Sequence, residues 1–452
     1  MPPIAFLEST RDPNIRLSAA TPQTLAPDGS SLYVRYNMDE LRQTAHRDNP
    51  ARYAAASPAS LGMWRYKDVL PSSTPSSTHG DPVHPITPVT LGEGWTPMLR
   101  SRRYPGLLIK EEGANPTGTF KARGLGMAVT MAAHYGLKHL AVPSAGNAAG
   151  ALAAYAAAAR MEAHLFMPND VPFANYLEGI LYGADVHMVA GLISDCARMV
   201  GDQIKSQRDA HTPVADTWFD ISTLKEPFRV EGKKTMGYEL VEQLNWTYPE
   251  AVFYPTGGGV GLIGMWKAFD EMEQLGWIEK GPDGQLPRRP RMYALQATGC
   301  APIVQAFNAG KATADFFPDA ETFAAGLRVP KPYADYIILD IVRKSGGKAI
   351  AVDDATILAS ILDYAHNEGI FLSPEGATAT AAYDQLLASG ELKPTDKVVL
   401  FNTGAGLKYT DMTAAAMHLQ RPGSEQGGEQ GQSRPDPKLP TSLPVGGIIT
   451  PV

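Results

Sequence analysis

From about residue 91 to 420 short apolar runs alternate with longer stretches in which apolar positions recur every three or four residues. The short runs Leu107–Ile109, His139–Pro143, Ala163–Met167, Asp185–Val189, Ala251–Tyr254, Arg291–Gln296 and Lys397–Phe401 predict strands. The longer stretches Thr119–Tyr135, Ala148–Arg160, Phe173–Tyr182, Ser194–Ser206 and Leu262–Gln274 predict helices, each following one of those strands. Strand–helix alternation implies an α/β fold, a parallel sheet covered by helices on both faces. Ligands of such sheets sit beyond the carboxyl ends of the strands, so the strand-to-helix turns are where chemistry is to be sought. No internal repeat is visible.

The flanks read differently. Residues 1–90 form an N-terminal extension and arm. Residues 1–60 show no period apart from a strand expected at Ser31–Tyr36, and 71–90 are rich in Ser, Thr and Pro. Residues 421–452 are too polar and too rich in Gly and Pro to build a core, and are expected to be a flexible tail, although the final LPVGGIITPV is apolar enough to dock. The 43 glycines and 37 prolines in 452 residues agree with abundant loops.

Glu8, Arg11, Asp12 and Arg16 interrupt the start of the chain, so no secretory signal is read there. The most membrane-like run, Ala148–Ala159, is shorter than the ~20 residues needed to cross a bilayer. A soluble cytoplasmic protein is expected, without membrane partners. A net charge of −7 argues against a nucleic-acid partner. The two cysteines, Cys196 and Cys300, cannot make a disulfide framework and read as reduced thiols. The ten histidines show no ligand spacing, and His134 and His139, flanking a helix-to-strand turn, read as surface residues. No metal is expected.

Four turns carry unusual chemistry. In the first, Asn115-Pro-Thr-Gly-Thr-Phe-Lys-Ala-Arg-Gly124, Lys121 falls in the first helical turn. The partial positive charge there disfavours an ammonium and suits a Schiff-base amine, although a solvated lysine running past the helix start fits the same residues. In the second, Pro143-Ser-Ala-Gly-Asn-Ala-Ala-Gly150, small residues let backbone amides approach an anion, with Ser144 and Asn147 adding donors. Ordinary helix capping by Ser144 or Asn147 is the plain reading, and Val142 occupies the position where an esterase elbow needs glycine. In the third, Thr256-Gly-Gly-Gly-Val-Gly261, adjacent glycines before a helix make a phosphate cradle. Gly259, Gly261 and Gly264 also satisfy the dinucleotide fingerprint, with Glu279 near the required acidic position, so an NAD-dependent oxidoreductase stays open. In the fourth, Asn402-Thr-Gly-Ala-Gly-Leu-Lys408, Thr403 offers a neutral hydroxyl at a strand end. An amine, two anion cradles and a hydroxyl together suit pyridoxal phosphate bound to Lys121.

NPTGTFKARG, PSAGNAAGALAAYAA, PTGGGVG, QATGCAPI, PEGATATAA and NTGAGLKY, in this order over roughly 91–415, resemble the threonine synthase branch of the fold-type II pyridoxal-phosphate enzymes. The resemblance implies two parallel-sheet domains covered by helices within 91–420, the smaller spanning approximately 125–240, with the cofactor between them. It implies a homodimer acting on a small amino acid. It makes Lys121 the Schiff-base lysine, preceded by Phe120, and gives the cofactor's ring oxygen to Asn147. It gives the cofactor's phosphate to Gly257, Gly258, Gly259, Val260 and Gly261, and the pyridine nitrogen to Thr403. Ser144, Ala145, Gly146 and Ala148, with Asn147, would receive the substrate carboxylate, and Glu375 lies in a segment like the family's late active-site loop.

There are departures. Ala122 stands where these enzymes typically carry Asp. The segment resembling their substrate-phosphate motif reads Thr223-Leu-Lys-Glu-Pro-Phe-Arg-Val-Glu-Gly-Lys-Lys-Thr235: it keeps Arg229, Glu231, Gly232, Lys234 and Thr235, with Lys225 as replacement charge. The triple glycine is more like that of serine and threonine dehydratases. Ala26 and Asp28 stand where some relatives carry zinc-binding cysteines. The expected activity is a β/γ-replacement converting O-phosphohomoserine and water to threonine and phosphate, with Arg229 and Lys225 holding the leaving phosphate. The alternatives are a dehydratase acting on hydroxy or diamino acids and a cofactor-binding protein without catalysis.

Overall fold

The computed structural model describes residues 4–48, 62–71 and 85–419. The expected tail, 421–452, and residues 72–84 of the Ser/Thr/Pro-rich stretch lie outside the described residues. The first strands are β1 (Phe6–Ser9), β2 (Arg16–Leu17) and β3 (Leu32–Arg35), followed by helix α1 (Met38–Thr44). Then come β4 (Met98–Arg100), β5 (Leu107–Glu111), α2 (Lys121–His134), β6 (His139–Pro143), α3 (Asn147–Ala159), β7 (Glu162–Pro168), α4 (Phe173–Leu181), β8 (Asp185–Val189), α5 (Ile193–Asp209) and β9 (Phe219–Asp220). The last part comprises α6 (Phe228–Gln243), β10 (Ala251–Pro255), α7 (Val260–Gln274), β11 (Arg291–Ala297), α8 (Pro302–Asn308), α9 (Asp335–Ser345), β12 (Ala349–Val352), α10 (Asp354–Glu368), α11 (Pro374–Ala388), β13 (Val398–Asn402) and α12 (Thr410–Ala416).

The fold is α/β with two main sheets. The larger has the order β12-β11-β10-β13-β5-β4 and is parallel except where β4 runs against β5. The smaller, β8-β7-β6-β9, is parallel throughout. Residues alternate between the two faces of each strand, and both faces are covered. On β10, Val252 and Tyr254 enter the core shared with α6, α7 and α9, while Ala251 and Phe253 enter the core shared with α10 and α11. On the smaller sheet, Leu140, Val142 and Leu165 meet α2 and α3, whereas Ala141 and Phe166 meet Cys196, Val200 and Ile204 of α5.

The N-terminal region is more ordered than its composition suggests. The strand expected at Ser31–Tyr36 is β3, and it pairs with β1, which pairs with β2. Strand β1, four residues alternating between half-buried and buried positions, carries too short a period to stand out in sequence. Tyr36, just past β3, donates to Glu231 at 2.5 Å and ties this sheet to α6.

Helix α6 has no amphipathic signature because its charged residues point inward. Arg229, Glu231, Lys233, Lys234 and Glu239 are all fully buried. Arg123 on α2 forks onto Glu112 at 2.7 and 2.8 Å and onto Glu239 at 2.7 and 3.0 Å, and Lys110 of β5 also bonds Glu239. A second cluster joins Lys234 and Lys267 to Glu231 and Glu271. Within the segment resembling a substrate-phosphate motif, Glu231, Gly232, Lys234 and Thr235 therefore serve the scaffold: a Cβ on Gly232 would lie 2.1 Å from the Arg123 carbonyl, so glycine lets α2 and α6 touch.

Candidate active site

A cavity of about 450 Å³ opens at the carboxyl ends of β6, β10 and β13. Lys121 is the first residue of α2, after Phe120, whose side chain does not cap the helix. The Phe120 N–H donates to the Thr403 carbonyl at 3.0 Å, and Thr119 bridges Gly404, so the first and fourth turns are stitched together. The Lys121 amine is pushed down to about 7, chiefly by burial and then by the Arg229 guanidinium, against the pull of Glu375. Attack on an aldehyde needs the free amine. Uptake of pyridoxal phosphate by apo-protein should accelerate as pH rises through about 7 and level off above it. A rate that keeps climbing toward the ordinary lysine value of 10.5 would contradict this assignment.

The third turn follows β10. Gly259, at φ +73°, is the residue just before α7, and a Cβ there would lie 2.3 Å from Ile338 Cδ1. A Cβ on Gly257 would meet the Gly326 carbonyl at 2.6 Å, and one on Gly261 the Tyr254 hydroxyl at 1.9 Å. Only glycine fits these three positions, and Gly257, Gly258, Gly259, Val260 and Gly261 all line the cavity. Gly264 has another job: a Cβ there would sit 2.8 Å from the Lys234 amide, so it serves α6–α7 packing. Glu279 is exposed in a loop and pairs with Arg47 at 2.5 Å, well before β11 begins. The dinucleotide fingerprint thus lacks both its helix–strand glycine and its acidic residue at a strand end.

In the second turn Ser144 Oγ accepts from the amides of Gly146 and Ala149 at 3.0 and 3.1 Å, so it caps α3 while also lining the cavity. Ala145, Asn147 and Ala148 line it too. Gly146 does not: it turns away at φ +118°, packed under Asn175. Asn147 Nδ2 donates to the Tyr409 hydroxyl at 2.5 Å, which leaves its buried Oδ1 without a partner among the described residues. Thr403 and Glu375 complete the wall. Glu375 accepts from the Gly326 amide at 2.7 Å, and burial pushes its carboxyl above the usual range.

Lys225 reaches the cavity and lies 3.4 Å from Asp220. Arg229, expected to hold a leaving phosphate directly, is not among the lining residues. It is fully buried one layer behind, with Nη1 donating to the Ile221 carbonyl at 2.9 Å. Its Nε and Nη2 have no partner among the described residues.

Lys233 is a group that sequence reasoning passed over. Its ammonium lies 3.7 Å from the Phe120 ring centroid and donates to the Phe120 carbonyl, while Lys121 Nζ lies 4.8 Å from the same ring. Burial, then Lys121 and Arg229, push Lys233 well below an ordinary lysine. Its only sequence signal is a lysine placed among the buried positions of a helix whose period is hidden.

Residues 89–404 match the model of the family described as pyridoxal-phosphate dependent enzymes. The chain belongs to this family. It is 32% identical over 397 residues to the threonine synthase of Methanocaldococcus jannaschii, covering 86% of this chain and 89% of that one. It is 30% identical to the threonine synthase of Methanosarcina acetivorans, covering 76% and 80%, and 32% identical to that of Mycobacterium tuberculosis, covering 72% and 85%. Among solved structures, maize serine racemase aligns with a TM-score of 0.55 at 20% identity, covering 72% of this chain and 93% of that one. The L-serine ammonia-lyase of Rhizomucor miehei aligns with a TM-score of 0.56 at 18% identity, covering 71% and 97%. These two share the fold. The chain is thus a pyridoxal-phosphate dependent lyase of fold-type II, on the threonine synthase branch. Among the described residues no helix is long and apolar enough to cross a membrane.

The site's chemistry fits pyridoxal phosphate. An amine whose proton affinity is pushed down to about 7 suits the aldehyde, a glycine-rich stretch lining the cavity at the start of α7 suits the phosphate, and the orphaned Asn147 carbonyl oxygen and Arg229 guanidinium nitrogens mark buried demand for polar partners.

Proposed function

We propose that this enzyme converts O-phosphohomoserine and water into L-threonine and inorganic phosphate. The observation that carries the reading is Arg229, a buried guanidinium with two unpartnered nitrogens, bonded to Ile221 just before the wall residues Ser222, Thr223 and Lys225. A reaction that releases phosphate needs positive charge besides the cofactor's own anion site, and a guanidinium buried directly behind the wall supplies it in a poorly screened interior. Similarity to threonine synthases over most of the chain supports the same substrate.

In this reading Gly257, Gly258, Gly259, Val260 and Gly261 hold the cofactor phosphate. Phe120 packs beside the cofactor, Asn147 bonds the ring oxygen and Thr403 faces the pyridine nitrogen. The bound cofactor supplies an electron sink for the charge left at the substrate Cα. The Lys121 amine, freed by the incoming amino acid, takes the Cα proton and later moves protons at Cβ. It can do so at neutral pH because burial keeps it from holding its own proton tightly. Amides and small side chains of Ser144, Ala145, Asn147 and Ala148 receive the substrate carboxylate, with Gly146 shaping the turn from behind. Lys225 at the wall, with Arg229 adding positive charge from one layer behind, neutralises the phosphate leaving from Cγ, and water adds at Cβ.

A second reading, a dehydratase acting on serine, threonine or a diamino acid, is favoured by the position of Arg229 behind the wall, which leaves Lys225 as the nearer cation. Purified holoenzyme separates the two. The first expects phosphate and threonine in equal amounts from O-phosphohomoserine. A 2-oxo acid plus ammonia from serine or threonine, with no phosphate released from O-phosphohomoserine, would replace it by the second.

A further inference from the structure

We propose that His164, Asp185 and His187 form a binding site for a divalent transition-metal ion of the zinc class, separate from the cofactor cavity. The site follows from strand register. In the smaller sheet His164 on β7 pairs with Asp185 on β8, and the next same-face pair is Phe166 with His187. The three side chains therefore share the face that α5 covers further along, near the amino-terminal end of these parallel strands. The cofactor cavity opens at the other end.

His164 Nδ1 and His187 Nε2 approach the same oxygen, Asp185 Oδ2, at 3.1 and 2.8 Å. Donor atoms around a tetrahedral zinc with bonds of about 2.0–2.1 Å stand roughly 3.3 Å apart. Small side-chain shifts convert the shared hydrogen bonds into a coordination shell. Each ring then carries its proton on the nitrogen that does not coordinate. Two imidazoles and one carboxylate, with a position left for water, are a recurrent zinc donor set.

The rings are already oriented. His164 stacks on Trp218 with centroids 3.9 Å apart, and His187 stacks on Phe166 at 4.3 Å. Ring orientation fixed by neighbours is what a preorganised ligand requires. The His164 side chain is only 10% exposed, so the ring that presents Nδ1 to Asp185 is held within the sheet face rather than free in solvent. Asp185, 34% exposed, leaves an entry path for the ion. His139, expected at the surface, is instead half-buried against His164 and lies 3.1 Å from Glu162, continuing the row on β6.

The test uses holoenzyme stripped with EDTA and titrated with zinc chloride by calorimetry, with nickel chloride in parallel. Close to one ion per chain is expected, with a rise in Tm on binding. Asp185→Asn and His187→Gln should each weaken binding by about 100-fold or abolish it, and remove the Tm rise, while visible absorption of the bound cofactor and turnover stay unchanged. His187→Gln removes a half-buried ring only, so it serves as the readout should Asp185→Asn fold poorly. Absence of zinc and nickel binding to the unmodified protein, or unchanged affinity in His187→Gln, would overturn the proposal and leave the row as hydrogen-bonded packing.

Discussion

Lys121→Arg should retain the fold and lose turnover by about 10²- to 10⁴-fold or more, the scale set by removing one positioned proton-transfer group. A guanidinium stays protonated throughout the accessible pH range, so it neither attacks an aldehyde nor accepts a Cα proton. Lys121 sits at the cavity wall on the first turn of α2, and its amine makes no hydrogen bond among the described residues. The fold therefore has little to lose, and thermal unfolding of the cofactor-free variant should match that of the cofactor-free parent. The visible band of the bound cofactor should also change, since the amine that holds the aldehyde is gone. Steady-state turnover and the absorption spectrum check both expectations. Turnover within about tenfold of the parent, above the loss expected for a positioned group, would remove Lys121 from the chemistry and undo the functional reading.

Arg123→Met should destabilise the folded protein by about 3–5 kcal/mol, measured by urea unfolding. Arg123 is fully buried and satisfies both Glu112 and Glu239, and with Lys110 these are the charges at the junction of β5, α2 and α6. Removing the guanidinium strands carboxylates in a water-free interior. Burial alone would raise both acids, yet Arg123 outweighs it and holds Glu112 and Glu239 below the usual range, with Lys110 helping. That sign fixes the pH dependence. A folded-state value below the unfolded one gives stability that is complete above the ordinary value of 4.5 and is lost as pH falls through the folded-state value. The parent should thus keep this contribution in mild acid, whereas the stranded acids of Arg123→Met, raised by burial, take up protons first, so the difference between parent and Arg123→Met should already narrow in mild acid and go on narrowing toward strongly acidic pH. Lys138→Met, which breaks the exposed pair with Asp216, is the control and should cost about 0–1 kcal/mol. Equal effects from the two variants would show that the buried cluster is not what clamps α2 onto α6.

The strand–helix alternation between 107 and 274 was legible because fully apolar strands and alanine- or leucine-rich helices carry their burial in composition. Every strand expected there is present, with ends shifted by a residue or two. Helix α6 was not legible, because Arg229, Glu231, Lys233, Lys234 and Glu239 occupy inward positions and erase the amphipathic period. Helix α11 was hidden for the opposite reason: small residues such as Ala377, Ala379 and Ala382 are buried all round, and no polar stripe marks a solvent face. The four turns stood out because glycine and proline next to lysine, serine and threonine are informative without any tertiary context. Lys233 and the row of His164, Asp185 and His187 were not visible, since nothing in sequence spacing brings 121 near 233 or 164 near 185.

The sequence by itself determined the α/β class, the family and the local chemistry of each turn: backbone freedom at glycines, anion affinity at helix starts and strand burial are properties of short segments. The tertiary structure decided which turns meet, which cation of the 223–235 segment reaches the cavity, and which charges of that segment are scaffold. Those outcomes depend on sheet order, cross-strand register and burial, which arise only when segments distant in the chain pack and exclude water together.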